Sequence, residues 1–167
     1  MTIEIEQHID PNLIPVLEKV YDPEIPVLSI IDMGVVRIAK VINDVVHVKI
    51  TPTYSGCPAM DVLGEDIVHA FAKENMKAKV SLVLSPAWTT DWITSQGRKA
   101  LENYGIAAPL EELADKEALL QNKKIIKCTQ CGSTNTKLIS QFGSTACKAL
   151  FQCEDCLEPF DYFKCLK

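Results

Sequence analysis

Apolar positions in the first hundred residues recur with two different spacings. Three stretches show the three- to four-residue spacing of helices buried on one face: residues 11–20, 60–73 and 89–104. Three others alternate or are rich in β-branched residues, which is typical of strands: residues 34–42, 45–51 and 79–84. The pair Asn43-Asp44 is a tight-turn signal, so the first two strands are predicted to form a hairpin.

The order of these elements predicts a small α+β domain over residues 1–105. Helices would cover one face of a three- or four-stranded sheet. Gly105 stands where a glycine is expected after the last helix. Residues 106–122 are predicted to be a linker or a short acidic helix, and residues 123–167 differ in composition from what precedes them.

Two matched cysteine pairs dominate residues 123–167. Cys128 and Cys131 form one C-x2-C pair, Cys153 and Cys156 form another, and 21 residues separate the pairs. Two cysteines on one tight turn direct both sulfurs at a single ion, and two such turns supply a tetrahedral four-thiolate site. A module of about 40 residues cannot bury a large core, so a bound metal ion is expected to stabilise it. The segment is therefore predicted to be a β zinc ribbon, with strands over residues 136–142 and 149–152.

The identity of the metal is less constrained than the site. Zinc is favoured, but four thiolates also suit a single redox-active iron, as in rubredoxins, which would make the protein an electron carrier. Cys147 competes as a ligand only weakly, because the second C-x2-C pair is complete without it. Cys147 and Cys165 are predicted to be free, partly buried thiols.

The seven cysteines also bear on the cellular compartment. No apolar run reaches the length of about 18–20 residues that spans a bilayer, and the acidic N-terminus is unlike a secretion signal. We therefore expect a cytoplasmic protein with no membrane partner. A reducing compartment disfavours disulfides, which leaves metal binding or reactive thiols as the expected uses of cysteine.

Charge is divided unevenly along the chain, whose net charge is −5. Residues 1–122 hold 10 Lys and Arg against 18 Asp and Glu, whereas residues 123–167 hold 7 Lys against 4 acidic residues. Many zinc ribbons touch DNA or RNA, so a nucleic-acid-binding protein is an alternative prediction. The acidic body and the lack of a dense basic stripe argue against it.

Cys57 stands alone in a polar loop where a strand feeds a helix. A thiol at a helix N-terminus faces unpaired N–H groups and the positive end of the dipole, so the sequence predicts a stabilised, reactive thiolate. A packed, unreactive cysteine is an equally open interpretation. Asp22 and Glu24 flank Pro23 in a predicted turn and would meet Cys57 if that turn folds over the sheet edge.

The usual enzyme signatures are missing. His8, His47 and His69 are each predicted to lie on the surface, so a Cys–His hydrolase has weak support. The sequence has no glycine-rich phosphate loop and no serine nucleophile elbow.

Several segments over residues 10–105 resemble a small family that assists iron–sulfur cluster assembly. They are Asp22-Pro23-Glu24-Ile25-Pro26-Val27, Ile31-Asp32-Met33-Gly34-Val35-Val36, Thr51-Pro52-Thr53-Tyr54-Ser55-Gly56-Cys57-Pro58 and Leu84-Ser85-Pro86-Ala87-Trp88-Thr89-Thr90-Asp91-Trp92. The ribbon adds Gly143-Ser144-Thr145-Ala146-Cys147-Lys148-Ala149-Leu150, Cys153-Glu154-Asp155-Cys156-Leu157-Glu158-Pro159-Phe160 and Phe163-Lys164. With both halves, the chain resembles the PaaD (or PaaJ) family. These are accessory subunits encoded with the bacterial phenylacetyl-CoA epoxidase, a ring-epoxidising multicomponent monooxygenase of aerobic phenylacetate degradation.

The resemblance implies a non-catalytic protein that helps to mature or insert a metal centre. Its partners would be the epoxidase subunits, above all the iron–sulfur reductase or the di-iron subunit. By the same resemblance Cys57 is the functional thiol, with Asp22, Glu24 and Thr53 near it, and the four ribbon cysteines hold zinc. Cys147 also recurs in the family. One cysteine cannot hold an iron–sulfur cluster alone, so any cluster would be transient and shared with a partner or within a homodimer.

Overall fold

The computed structural model describes residues 7–121 and 124–164. It divides into two compact units, with the division between Trp88 and Thr89. Each unit holds one four-stranded sheet. The predicted fold class, a small α+β sheet domain followed by a C-terminal ribbon, is confirmed.

The first unit contains a mixed sheet with the strand order β1-β2-β3-β4. Its elements are β1 (His8–Ile9), α1 (Ile14–Leu17), β2 (Val36–Ile42), β3 (Val45–Ile50), α2 (Ala59–Lys73) and β4 (Lys77–Leu82). β2 and β3 are antiparallel, whereas β1 runs parallel to β2 and β4 runs parallel to β3. The sheet therefore has four strands, the larger of the two predicted numbers.

The hairpin and the second helix form where the pattern predicts them. Asn43 and Asp44 have φ values of 49° and 60°, the left-handed pair that a two-residue turn between twisted strands requires. α2 buries the predicted stripe, with Leu63, Ile67 and Phe71 fully shielded from solvent. The buried side of β3 supplies Val46, Val48 and Ile50.

Two predicted elements of the first unit have different bounds. The helix predicted over residues 11–20 is regular only from Ile14 to Leu17, because Asp10 and Pro11 begin a turn instead. Asp10 Oδ1 accepts a hydrogen bond from the backbone N–H of Asn12 at 3.0 Å, and this bond within the turn stabilises it. The strand predicted over residues 79–84 is β4 and begins at Lys77.

The second unit has the strand order β5-β8-β7-β6. A 3-10 turn at Thr90–Trp92 leads to α3 (Ser95–Tyr104), β5 (Ile106–Ala107), α4 (Glu112–Leu120), β6 (Thr136–Ser140), β7 (Lys148–Cys153) and β8 (Pro159–Phe163). The helix predicted over residues 89–104 is split because Ile93 is extended and Thr94 caps α3 by accepting the N–H of Gly97 at 3.0 Å. Gly105 ends α3 with φ 95°, as expected.

The division between the two compact units falls before residue 105, where the sequence analysis ends the first domain. Arg98 of α3 donates hydrogen bonds to the carbonyl oxygens of Pro109 and Thr90, which ties α3 to its own unit. Residues 106–122, predicted as a linker or a short acidic helix, contain β5, which pairs with β8, and the helix α4, whose Ala118 is buried in the ribbon core. In the part of the chain that the structure describes, no helix is long and apolar enough to cross a membrane.

Candidate metal centre and thiol loop

The two C-x2-C pairs form two knuckles of the same construction. The first comprises Cys128–Gly132 and the second comprises Cys153–Leu157. In each, the N–H of the first cysteine donates to the carbonyl just beyond the knuckle: Cys128 to Ser133 at 2.8 Å and Cys153 to Glu158 at 3.0 Å. The residue after the second cysteine is left-handed in both knuckles. The shared spacing therefore produces two similar turns that direct four sulfurs at one point.

The sulfur positions fit a tetrahedral ion. The four Sγ atoms all lie within 4.8 Å of one another. Cys128 Sγ is 3.6 Å from Cys156 Sγ, and Cys131 Sγ is 3.5 Å from Cys153 Sγ. Zinc–sulfur bonds of about 2.3 Å in a tetrahedron place sulfurs about 3.8 Å apart. The predicted ligands Cys128, Cys131, Cys153 and Cys156 thus form a site of the right size for zinc, although zinc and iron do not differ enough in size for this to separate them.

The pKa values of the ribbon cysteines also indicate that a cation is needed to hold all four as thiolates. The N–H of Cys156 donates to Cys153 Sγ at 3.5 Å and lowers the pKa of Cys153 to about 7. For Cys156 the backbone N–H of Glu158 favours the thiolate, but burial and the neighbouring sulfurs outweigh it and raise the pKa to about 12. Four adjacent thiols therefore do not ionise together unless a metal ion compensates their charge.

Polar side chains that the sequence analysis did not single out brace the two knuckles against each other. Asp155 accepts hydrogen bonds from Ser133 and Asn135 of the first knuckle's flank, and these bonds lower the pKa of its carboxyl group. The hydrogen bond from Lys124 to Glu154 likewise lowers the pKa of Glu154. No local pattern predicts these contacts, because the partners are far apart in sequence.

Cys57 lies in the loop between β3 and α2 and is partly buried. The predicted donor is present, since the backbone N–H of Ala59 favours the Cys57 thiolate, and Tyr54 donates to it as well. Burial is the larger effect, however, and the pKa of Cys57 is raised. Of the two interpretations left open by the sequence, the direction of this shift favours the packed, less reactive cysteine, and Tyr54 is a contact that neither interpretation included.

The turn at Asp22 and Glu24 acts on the thiol of Cys57 through its charges. Asp22 is buried, and its Oδ1 accepts the N–H groups of Glu24 and Ile25, each at 2.8 Å. After burial, the charges of Glu24 and then Asp22 are further causes that raise the pKa of Cys57. Thr53 is buried earlier in the same loop. Asp22 is thus a structural acceptor, while Glu24 is the more exposed of the two carboxylates near the sulfur.

Cys147 belongs to neither site. Cys147 is buried, and its Sγ lies 3.1 Å from Thr145 Oγ1. Cys165 lies outside the described residues. Across residues 7–121 and 124–164, the four ribbon cysteines are the group of His, Cys, Asp or Glu side chains close enough to hold a metal ion. Cys57 and its two carboxylates do not meet that criterion.

Comparison with known proteins assigns each half of the chain. The family described as "Iron-sulfur cluster assembly protein" matches residues 12–82, and the "PaaD zinc beta ribbon domain" matches residues 112–164. A protein of Escherichia coli (strain K12) that is named as a subunit of 1,2-phenylacetyl-CoA epoxidase is 46% identical over 151 residues, covering 90% of this chain and 89% of that protein. The chain therefore belongs to the PaaD family of epoxidase subunits.

Two further relatives concern only part of the chain. The Fe-S protein maturation auxiliary factor YitW of Bacillus subtilis (strain 168) is 30% identical over 100 residues, which is 58% of this chain and 97% of that protein. A solved domain of unknown function DUF59 from Bacillus anthracis has a TM-score of 0.50 at 24% identity. It covers 54% of this chain and 88% of that domain, and it supports the fold alone.

Proposed function

We propose that this protein is a non-catalytic accessory subunit of a phenylacetyl-CoA epoxidase, and that it helps to assemble or insert an iron–sulfur or iron centre of that enzyme. The observation that carries the proposal is the 46% identity with the Escherichia coli epoxidase subunit, which extends over both units. The match of residues 12–82 to an iron–sulfur cluster assembly family supports a role in assembling such a centre. The partners would be the iron–sulfur reductase or the di-iron subunit.

Cys57 is the proposed working thiol of the first unit. It is partly accessible and lies in a loop, next to two carboxylates that act on its charge. Glu24 in particular gives the site an anionic character that attracts metal cations. One sulfur cannot hold a cluster, so the remaining ligands of a transferred cluster would come from the partner that receives or delivers it. Thr53 is proposed to shape the loop from inside.

The ribbon is proposed to hold zinc as a structural ion. When bound, the ion closes the two knuckles through four thiolate bonds and so supplies folding energy to a unit with a small core. Metal analysis of protein expressed with both zinc and iron available tests this. One zinc per chain is the expected result, whereas a red protein with one iron would favour rubredoxin-like electron transfer instead.

A co-expression experiment tests the proposed function. The epoxidase subunits of the same organism are produced with the wild-type chain, with Cys57→Ser, with Ser55→Ala as the matched loop control, or with no accessory chain. We expect full iron and sulfide content and full epoxidase activity with the wild type and Ser55→Ala, and a loss of both with Cys57→Ser. Equal iron content in all four preparations would refute the proposal.

A further inference from the structure

Outside the ring of sulfurs, the two knuckles are joined by a polar bridge of Lys124, Ser133, Asn135, Glu154 and Asp155. Asp155 lies between the two cysteines of the second knuckle, and both of its carboxylate oxygens accept hydrogen bonds. Oδ2 accepts from the hydroxyl of Ser133, and Oδ1 accepts from the side-chain amide of Asn135 at 2.7 Å. Both donors closely follow the first knuckle in the chain, so one carboxylate spans the two knuckles.

Asn135 is the centre of the polar bridge. Its backbone oxygen accepts the N–H of Glu154 at 2.8 Å, and its own backbone N–H donates to Ser133 Oγ at 3.0 Å. Its side-chain oxygen accepts from Lys124, which also pairs with Glu154 at 2.7 Å. All four polar groups of Asn135 therefore have partners, and two of these partners belong to the second knuckle. Hydrogen bonds linked in this way polarise and strengthen one another.

The separation of the two knuckles sets the size of the metal site. The two short sulfur–sulfur distances both cross from one knuckle to the other: Cys128 Sγ to Cys156 Sγ at 3.6 Å and Cys131 Sγ to Cys153 Sγ at 3.5 Å. A shift of one knuckle against the other changes these distances directly. The polar bridge fixes that separation from the side, because Asp155 is part of the spacer between Cys153 and Cys156.

We propose that Asn135 and Asp155 are positioning residues of the metal site, which hold the two knuckles at the separation that suits an ion of the size of zinc. The proposal is independent of the proposed function. The polar bridge consists of groups of the chain itself, so its formation does not require the metal. Ligands held by outer hydrogen bonds bind their ion more tightly, and a site of fixed size discriminates between ions of different radius.

Exchanging the two positioning side chains tests their pairing. Asn135→Asp alone sets two carboxylates against each other and breaks the polar bridge. Asn135→Asp combined with Asp155→Asn restores it in reverse, because the amide at residue 155 then donates to the carboxylate at residue 135 and accepts from Ser133. This double variant has the net charge of the wild type. Gln130→Glu is the matched control for the single variant, since it adds the same charge to an exposed part of the first knuckle, outside the bridge.

Competition between the full chain and a chromophoric chelator measures the affinities for zinc and for cadmium, a larger ion that also binds thiolates. We expect Asn135→Asp to weaken zinc binding about ten- to hundred-fold, although an added negative charge by itself would strengthen it. Cadmium binding should weaken by a smaller factor, because a site without the polar bridge expands to fit the larger ion. The double variant should recover most of the zinc affinity and the wild-type ratio of the two affinities. Gln130→Glu should weaken neither.

The ratio of the two affinities separates positioning from simple stabilisation. A bridge that only stabilised the folded unit would change the affinities for zinc and cadmium by the same factor, and that result would overturn the proposal. Unchanged zinc affinity in Asn135→Asp, no recovery in the double variant, or an equal loss in Gln130→Glu would overturn it as well. If Asn135→Asp does not fold, Ser133→Ala provides the same comparison, because it removes one hydroxyl of the polar bridge and adds no charge. Its smaller loss should again be greater for zinc than for cadmium, and equal factors would count against the proposal.

Discussion

Gly132 allows the backbone strain of a zinc knuckle to be measured apart from packing. It has φ 74°, and a Cβ added there would meet no atom within 4 Å. Gly132→Ala therefore neither clashes nor fills space, and its effect is conformational. The left-handed region costs an L-residue about 1–2 kcal/mol, while alanine restricts the unfolded chain and returns about 0.4–1 kcal/mol. We expect the ribbon to lose about 1 kcal/mol of stability.

Competition with a chromophoric chelator measures this change, because zinc binding to such a module is coupled to folding. A loss of about 1 kcal/mol corresponds to an apparent zinc affinity about five-fold lower. Gly132→Asn should fall between the wild type and Gly132→Ala, because asparagine tolerates the left-handed region. Leu157→Ala is the matched control, since Leu157 already carries a Cβ at φ 65°. Unchanged affinity for Gly132→Ala, or a reversed order of Asn and Ala, would refute the reasoning.

Three further predictions concern single contacts. Burial and then the charge of Glu24 raise the pKa of Cys57, so Glu24→Gln should lower that pKa. The larger thiolate fraction at pH 7 should speed alkylation by iodoacetamide, and a slower reaction would contradict this. Asp22→Ala removes the acceptor of two N–H groups at 2.8 Å. It should lower the free energy of unfolding, measured in urea, by about 1.5–3 kcal/mol, and a loss below about 0.5 kcal/mol would contradict the reasoning. A Cβ on Gly143 would lie 2.9 Å from Asp161 Oδ1, so Gly143→Ala should lower the thermal midpoint by the equivalent of about 1 kcal/mol. A double-mutant cycle with Asp161→Ala should recover part of that loss, and purely additive effects would argue against the clash.

The features that depend on residues close together in the sequence were predicted correctly: one helix stripe, two left-handed turns and the metal knuckles. The stripe of α2 is an amphipathic period that only one face of a helix can bury. The left-handed turn at Asn43-Asp44 and the left-handed Gly105 follow from the residues that tolerate positive φ. The two C-x2-C pairs predicted a metal site because the spacing itself builds the knuckle.

Elements that depend on distant partners were missed. β8 begins with a proline directly after the second knuckle, yet it becomes a central strand because Phe160 and Tyr162 pack against Phe151 of β7. β5 has only two residues and exists through its pairing with β8. For residues 106–122 the sequence left a linker or a short acidic helix open, and α4 is that helix; the burial of its Ala118 in the ribbon core is the part that no local pattern indicated.

The sequence left the ionisation of Cys57 open for a related reason. A helix N-terminus is a local feature, and its effect is present in the N–H of Ala59. The opposing effects come from burial and from a turn at Asp22 and Glu24 that is distant in sequence. The position of that turn is fixed by the fold, so no window around residue 57 contains the information.

The raised pKa of Cys57 is compatible with the proposed role in metal-centre assembly. A neutral thiol is protected from oxidation and alkylation, because the thiolate is the reactive form. The charges of Glu24 and Asp22 that disfavour the thiolate also attract a metal cation. A cation that reaches the sulfur would reverse the balance, since a metal ion favours the thiolate and displaces the thiol proton, which passes to water. The proposed thiol would thus be inert until its iron-bearing partner arrives, and a neutral side chain at residue 24 should make it more reactive toward alkylating agents and less attractive to iron.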